Sequence, residues 1–545
     1  MSHPPAGQAR PRAAGRVLLP LLIGVGLCVV FGALRWSYRP PLGDGLDGAY
    51  YFQIARQVAL GHGLDTTYSV FHMGLSPLPQ RATSYPLTPL AIGYLARFMP
   101  LEQAAVWLPG VAYVASIVLC FAFLRWLTAR SLPRVPASAR LTLSTLISVW
   151  FGLIPVYVWT SARPYTEALA NLLLLTSLYC FGSCSGAHFA SRSKRAAAFF
   201  GVGMLTGLCY LARFQWLVVA VAFVLSRLLA RDRRAWRDAV CIALGFVPCF
   251  AWQAWRQLSL PHGELYALLD FAMYRQDPNL PRFVYDLQFD SRIAWFLDKL
   301  AGVRVSLDPN NDESYFVQLS YLVWLVPCGL FWFTLRQGLR LKKQGLRALR
   351  VAGLRRPRHA ALLASAWVGV LAVAPLHTVH SLHWRTWSFA WRHGMPLLYL
   401  IIPIVIWLWS LNSAWLRALV AIVLSLSIVV CARKTQEVLA RHVPTQILEG
   451  YAEVAQYLDD VAPTGGTLGM EHQGLAVFSA QPLYWLACWS PPAFASTLLR
   501  DLPIDRIVLR SGEYRCPSLA QIRSRLRLER SFNRHYPMAV YRIDR

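Results

Sequence analysis

Apolar residues in this chain come in long, nearly unbroken runs separated by short polar stretches. A helix needs about 20 such residues to cross the hydrocarbon core of a bilayer. Runs near that length lie at 17–36, 102–127, 141–160, 166–186, 196–212, 214–230, 239–257, 316–336, 360–380, 396–412 and 414–432, which predicts about eleven transmembrane helices. The pattern changes after 432. Apolar runs shorten to strand length at Thr467-Leu468-Gly469-Met470, Arg506-Ile507-Val508-Leu509 and Met538–Ile543, with helical patterns between them at 446–460 and 517–528. Pro463-Thr464-Gly465-Gly466 reads as the first helix-to-strand turn. The predicted class is an all-α polytopic membrane protein carrying a small carboxyl-terminal α/β domain. It divides into a basic tail at 1–16, a membrane module at 17–432 with long loops at 37–85 and 258–315, and the α/β domain at 433–545.

The polar stretches alternate in charge, and that alternation orients the chain. Arginine and lysine crowd residues 10–16, 125–140, 192–195, 231–237 and 336–358, whereas 37–85 and 258–315 hold most of the acids. Cytoplasmic loops retain positive residues, so the amino terminus is expected inside and, after an odd number of crossings, the carboxyl terminus outside. Arg35 and Arg39 run against the trend. The stretch 196–230 is interrupted only by Arg213 and Gln215, and basic clusters at both of its ends favour a hairpin that turns near Arg213 on the outer side. In the loop 258–315, Ile293, Phe296, Leu297 and Leu300 fall on one helical face and predict an interfacial helix near 291–302. The first run is preceded by basic residues but lacks a small-residue cleavage site, so it reads as a retained anchor.

Composition narrows the function. At 545 residues, 56% hydrophobic and only 15% charged, the chain cannot cover a water-soluble surface of its size. Its formal charge of +27 lies in clusters between spans, which is membrane topology and contact with anionic lipid, and no nucleic-acid partner is expected. Nine of the eleven cysteines fall in or beside apolar runs without metal-ligand spacing. Cys488 and Cys516 lie in the outer part, where an oxidising compartment leaves pairing an even choice.

The chemistry-bearing residues gather on the outer segments. The first outer loop reads Asp44-Gly45-Leu46-Asp47-Gly48-Ala49-Tyr50-Tyr51-Phe52-Gln53-Ile54-Ala55-Arg56, then Gly61-His62-Gly63-Leu64 and Tyr85-Pro86-Leu87-Thr88-Pro89-Leu90. Asp47 begins a helical pattern, and a carboxylate there either caps free amides or does chemistry; position alone leaves both readings open. Further outer elements are Ser161-Ala162-Arg163-Pro164-Tyr165-Thr166-Glu167, Gly203–Arg213, and Arg392-His393-Gly394-Met395-Pro396. Arg213 breaks an apolar stretch where inserting a charge costs about 2.5–3.5 kcal/mol, so it ranks first among the arginines. Glu167, at the head of an apolar helix, either caps it or pairs with Arg163 or Arg213. The outer histidines His62, His72, His383 and His393 are scattered, and Trp384, Trp387 and Trp391 fit an interfacial aromatic belt.

In this order the segments resemble the GT-C superfamily of integral-membrane glycosyltransferases, specifically the bacterial relatives of protein mannosyltransferases and aminoarabinose transferases. The resemblance implies a donor sugar on a polyprenyl phosphate, a glycan, lipid or protein acceptor, location in the cell inner membrane, and an inverting hexosyl or pentosyl transfer. Asp47 is then the general base, with Asp44 and Glu167 as further acids of the site. Arg213, Arg163, Arg392, Arg385 and Arg81 are the candidate ligands of the donor phosphate, and Tyr50 and Tyr51 the substrate-contacting aromatics. A forked, permanently charged guanidinium suits a departing phosphate, and a carboxylate suits removal of the acceptor's proton. Two positions depart from the family's pattern: Gly48 stands where many relatives have a second acid, and Gln215 where an acid often follows the arginine. A lone carboxylate is a poor divalent-cation site, so no cofactor is assigned and a divalent cation is left open. The alternatives are a transporter or flippase and a catalytically inactive scaffold. Internal repeats with matching broken helices would favour the first, and none is visible in the sequence; Gly48 keeps the second open.

Overall fold

The computed structural model describes residues 12–38, 40, 42, 46–69, 78–82, 85–228, 234–259, 361, 364–365, 367–368, 397–410, 414–440, 445–461, 466–470, 474–479, 481–486, 492–510 and 512–544. The expected span at 316–336, the interfacial helix near 291–302 and most of the span at 360–380 lie outside them. Asp44, Arg385 and Arg392 do so as well.

The membrane part is built of helices α1 (Arg12–Ser37), α2 (Leu46–Ala59), α3 (Leu87–Leu95), α4 (Leu101–Ser131), α5 (Ala137–Gly152), α6 (Pro155–Ser161), α7 (Glu167–Gly186), α8 (Arg192–Ala212), α9 (Leu217–Leu228), α10 (Ala235–Leu258), α11 (Leu397–Ser410) and α12 (Ala414–Ala440). Among the described residues, six helices are long and apolar enough to cross a membrane: α1, α4, α7, α8, α10 and α12. The run expected at 141–160 divides into α5 and α6, because Pro155 supplies no amide to the turn before it and instead starts α6.

The predicted break at Arg213 is present. Helix α8 ends at Ala212, Arg213 is extended, and a 3₁₀ turn at Phe214–Trp216 leads into α9. A buried ion cluster shows that the chain doubles back there. Arg195, near the start of α8, donates through Nε and Nη2 to the two oxygens of Asp238 at 2.8 and 2.7 Å. Arg227, near the end of α9, donates to the same carboxylate. The far ends of α8 and α9 therefore meet at the first turn of α10, at the opposite end from Arg213.

Helices α8 and α10 cross in backbone contact. A side chain on Gly203 would strike the carbonyl of Ile242, one on Gly245 the carbonyl of Phe200, and one on Gly207 the Cβ of Cys249 at 2.7 Å. Small residues allow this close approach, through which helices associate where water gives no hydrophobic drive. Gly245→Val should force the pair apart. A loss of at least about 1–3 kcal/mol is expected, seen as a lower melting temperature in detergent and a broadened size-exclusion peak. An unchanged melt would mean that the crossing is not a stability determinant.

Arg35 explains its own exception to the charge pattern. Its guanidinium is fully buried and donates to the carbonyls of Ser161 at 2.8 Å, Tyr38 at 3.1 Å and Val106 at 3.0 Å. It ties α1, α4 and α6 together and is no loop charge.

The carboxyl-terminal part has α13 (Thr445–Val461), β4 (Gly466–Met470), α14 (Leu475–Phe478), β5 (Leu483–Leu486), α15 (Pro492–Asp501), β6 (Ile504–Arg510), β7 (Leu526–Phe532) and β8 (Met538–Ile543). The helical pattern expected over 517–528 gives short 3₁₀ turns at Pro517–Leu519 and Arg523–Arg525, and then the start of β7. Leu519 and Ile522 do reach the core, but from Leu526 onward the chain pairs with β8 instead of continuing a helix. Cys516 is disulfide-bonded, and Cys488 lies outside the described residues.

Three short strands come from the loop 37–85: β1 (Asp65–Thr66), β2 (Tyr68–Ser69) and β3 (Gln80–Arg81). Strands β1 and β3 pair with each other, whereas β2 joins the carboxyl-terminal sheet, whose order is β2-β5-β4-β6-β8-β7. Tyr68 pairs with Leu483 in the parallel register, and β7 and β8 close the other side antiparallel. One core then runs from Ala49, Phe52 and Ile54 of α2 through Val454 and Leu458 of α13 to Val508 and Val540 of the sheet. The loop and the carboxyl-terminal domain, some 400 residues apart in sequence, fold as neighbours in a single apolar cluster.

Candidate active site

The acidic loop forms α2 as its pattern predicts, and Asp47 stands in its first turn, half-buried. There the peptide dipoles present partial positive charge to a carboxylate. The turn beside it explains Gly48. A Cβ at Gly48 would lie 3.2 Å from the Tyr165 ring and 3.8 Å from Pro164, so an aspartate side chain there would need Tyr165 to move. Gly48 packs against the turn that precedes α7.

That turn leads to the buried ion pair of the site. Arg213 Nη1 donates to Glu167 Oε1, and both side chains are only 3% exposed. Of the partners that the sequence left open for Glu167, the structure brings it Arg213; Thr166 precedes α7 without a side-chain cap. The Arg213 guanidinium also lies over the Tyr85 ring, 5.6 Å from its centre. Tyr85 in turn touches Phe214 edge-on at 4.9 Å and Tyr51 at 6.3 Å. Tyr51 meets Tyr165 at 6.4 Å and Tyr50 at 5.9 Å. Asp47, Gly48, Tyr50, Tyr51, Tyr85, Tyr165, Glu167 and Arg213 thus arrive from four separate segments and share one end of the bundle. Buried ion pairs persist only where further contacts offset desolvation, and the aromatic wall supplies such contacts to Arg213.

The other sequence candidates are placed differently. Arg163 is buried, stacks 4.1 Å over Trp159 and donates to the Trp159 carbonyl at 3.0 Å and the Tyr38 hydroxyl at 3.2 Å. Arg81 is exposed on β3, opposite Asp65. His62 Nδ1 donates to Gln57 Oε1 at 2.7 Å near the end of α2. Among the described residues, no group of three or more His, Cys, Asp or Glu side chains is arranged to hold a metal ion.

Two residues of this region escaped the sequence reading. Arg256, buried near the end of α10, donates to the Ala82 carbonyl at 2.5 Å and to Gln253 at 3.0 Å, and the phenols of Tyr50 and Tyr210 interact with its charge. Its run of neighbours looked like an ordinary span end; only the cost of burying a charge could have marked it. Tyr68, on β2, is fully buried, and its hydroxyl has no hydrogen-bond partner among the described residues. Burial first, then the charge of Asp47 and the phenol of Tyr451, push its pKa well above the usual phenol value. Nothing in a lone loop tyrosine signals that placement.

No protein-family model matches the chain, and no curated protein matches it. Solved structures do. The oligosaccharyltransferase of Archaeoglobus fulgidus, tethered to an acceptor peptide containing the NVT sequon, superposes with a TM-score of 0.54 at 11% identity, over 92% of this chain and 70% of that one. The same organism's oligosaccharyltransferase AglB, in complex with an inhibitory peptide and a dolichol-phosphate, gives 0.52 at 11% identity, over 90% and 69%. ArnT from Cupriavidus metallidurans bound to undecaprenyl phosphate is similar over 97% of this chain and 98% of its own, at 14% identity and a TM-score of 0.48. At such identities the likeness is one of fold: the chain is folded like the archaeal oligosaccharyltransferase structures.

Proposed function

We propose that this protein transfers a monosaccharide from a polyprenyl-phosphate donor to an acceptor outside the cytoplasmic membrane. The observation that carries the reading is that α2, which bears Asp47 in its first turn, packs through Tyr51 and Gly48 against the aromatic cluster that surrounds the buried Arg213–Glu167 pair. A fold shared with an enzyme solved with dolichol-phosphate supports the donor class. The module crosses the membrane eleven times, amino end inside and carboxyl end outside, so that this cluster opens at the outer leaflet.

In this mechanism the acceptor hydroxyl gives its proton to Asp47 as its oxygen attacks the anomeric carbon from the face opposite the phosphate. The bond from that carbon to the phosphate oxygen breaks with its electron pair, giving inversion and a free lipid phosphate. Arg213 neutralises the charge that develops on the leaving group, and Glu167 holds the guanidinium in place. Arg256 is a second phosphate candidate, beside Arg163, Arg385, Arg392 and Arg81, and Asp44 a further acid of the loop. Tyr50 and Tyr51 line the sugar's side.

Membranes holding the protein, supplied with a panel of radiolabelled undecaprenyl-phosphate sugars, should move label from the lipid to a lipid, glycan or protein fraction with at least one donor. Label that changes leaflet but stays on its lipid would point to a flippase, and label that never moves would reject the proposal.

A further inference from the structure

The helix that carries Asp47 is gripped from the far end of the chain. Gln53 and Arg56, one turn apart on α2, both point at the carbonyls where α14 ends. Gln53 Nε2 donates to Ala476 and, at 2.9 Å, to Ser479; Arg56 donates to Val477 and, at 2.8 Å, to Ser479. These carbonyls have no partner within a helix that stops at Phe478, and the partial negative charge of a helix end suits a cation. The receiving segment is itself fixed, since Ser479 Oγ donates to Asp459 of α13 at 2.7 Å. Gln53 is fixed in turn by Thr67, which donates to its Oε1 at 3.0 Å just before β2 enters the sheet.

Arg56 also joins three bodies electrostatically. Burial draws its pKa down, and Glu102 of α4 and Asp459 of α13 oppose that shift. One cation on α2 is thus held between a membrane-length helix and the carboxyl-terminal domain, with its side chain over Phe52 at 5.3 Å.

We propose that Gln53 and Arg56 are positioning residues for the proposed transfer, through which the carboxyl-terminal domain sets the place of Asp47; this rests on the glycosyl-transfer reading. Gln53 lies at the middle of α2 and Arg56 in its last turn, both more than a turn beyond Asp47, so they act on the reaction through the helix. A displacement near 1 Å at a reacting group can lower a rate by roughly a hundredfold. Loss of either contact should therefore reduce turnover more than substrate affinity.

The test uses the full chain in nanodiscs, with whichever undecaprenyl-phosphate sugar of the panel the wild type transfers. Arg56→Ala and Gln53→Ala should each lower kcat roughly 10- to 100-fold while KM for the donor stays within about twofold. Arg56→Lys, which keeps a donor and a charge, should recover most of the loss, and a purely structural role would not produce that split with rescue. Hydrogen exchange of the peptide spanning 46–59 is measured on the same variants and should rise about tenfold or more for the alanine variants. Unchanged kcat and unchanged exchange in both would overturn the proposal, as would an equal fall in affinity and turnover. If the wild type transfers no sugar, the glycosyl reading fails by itself. Exchange then decides whether the grip on α2 exists: a rise supports it and no change refutes it.

Discussion

Asp47→Asn should abolish sugar transfer while expression, membrane insertion and melting temperature stay near those of the wild type. The substitution separates the two readings of this carboxylate. Asn is close to Asp in size and is tolerated at a helix start about as well, so the first turn of α2 should persist. What is lost is charge: the interaction with the helix dipole, worth about 0.3–1 kcal/mol, and the ability to take a proton. A general base contributes about 10²–10⁴ in rate, far more than the change in stability can account for. Turnover measured with a saturating lipid-linked sugar should therefore fall by at least a hundredfold, at unchanged donor KM. Normal turnover would leave Asp47 as a cap and move the base elsewhere. Asp47→Glu is the companion variant. It keeps the charge but carries the carboxyl one methylene further from the helix, and partial activity is expected.

Much of the membrane part is legible in the sequence because span length and charge clusters are strong, local signals. Helices α1, α4, α7, α8 and α10 fall within a few residues of their expected runs, and the hairpin at Arg213 follows from basic clusters at both ends of one apolar stretch. The buried charges follow the same logic in part. Arg213 was conspicuous because it interrupts a long apolar stretch, whereas Arg35 and Arg256 sit at helix ends where arginine is ordinary, and their burial depends on carbonyls far along the chain. Gly48 shows a further limit. Gly48 itself is visible in the sequence, but its close approach to the ring of Tyr165, 117 positions away, is not. The two-residue strand β2 is illegible for a related reason. Its pairing with β5 is a contact between distant segments, and a run of two residues has no periodicity to read. In the carboxyl-terminal part, β4, β6 and β8 are legible as apolar runs of strand length. The start of β7 is not, because its arginines and leucines also fit one face of a helix.

Arg213→Ala is expected to have the second large effect, and a dissection of it separates folding from function. Arg213 and Glu167 are both only 3% exposed and hold each other across the gap between α8 and α7. Removing one member of a buried pair leaves the other charge without its partner and costs about 3–5 kcal/mol. The single variant should thus melt well below the wild type, and its weak donor binding alone would prove little. Arg213→Met with Glu167→Leu removes both charges and keeps apolar volume, a replacement that is often neutral or stabilising. That double variant should regain most of the melting temperature and still fail to bind undecaprenyl phosphate, measured by competition against the labelled donor. Arg213→Lys keeps a charge but presents one point where the guanidinium presents a fork; it should melt near the wild type and bind donor about tenfold or more weakly, the order of a lost charge-assisted hydrogen bond. If the double variant binds lipid phosphate as the wild type does, Arg213 is a strut between α7 and α8 that the leaving group never meets.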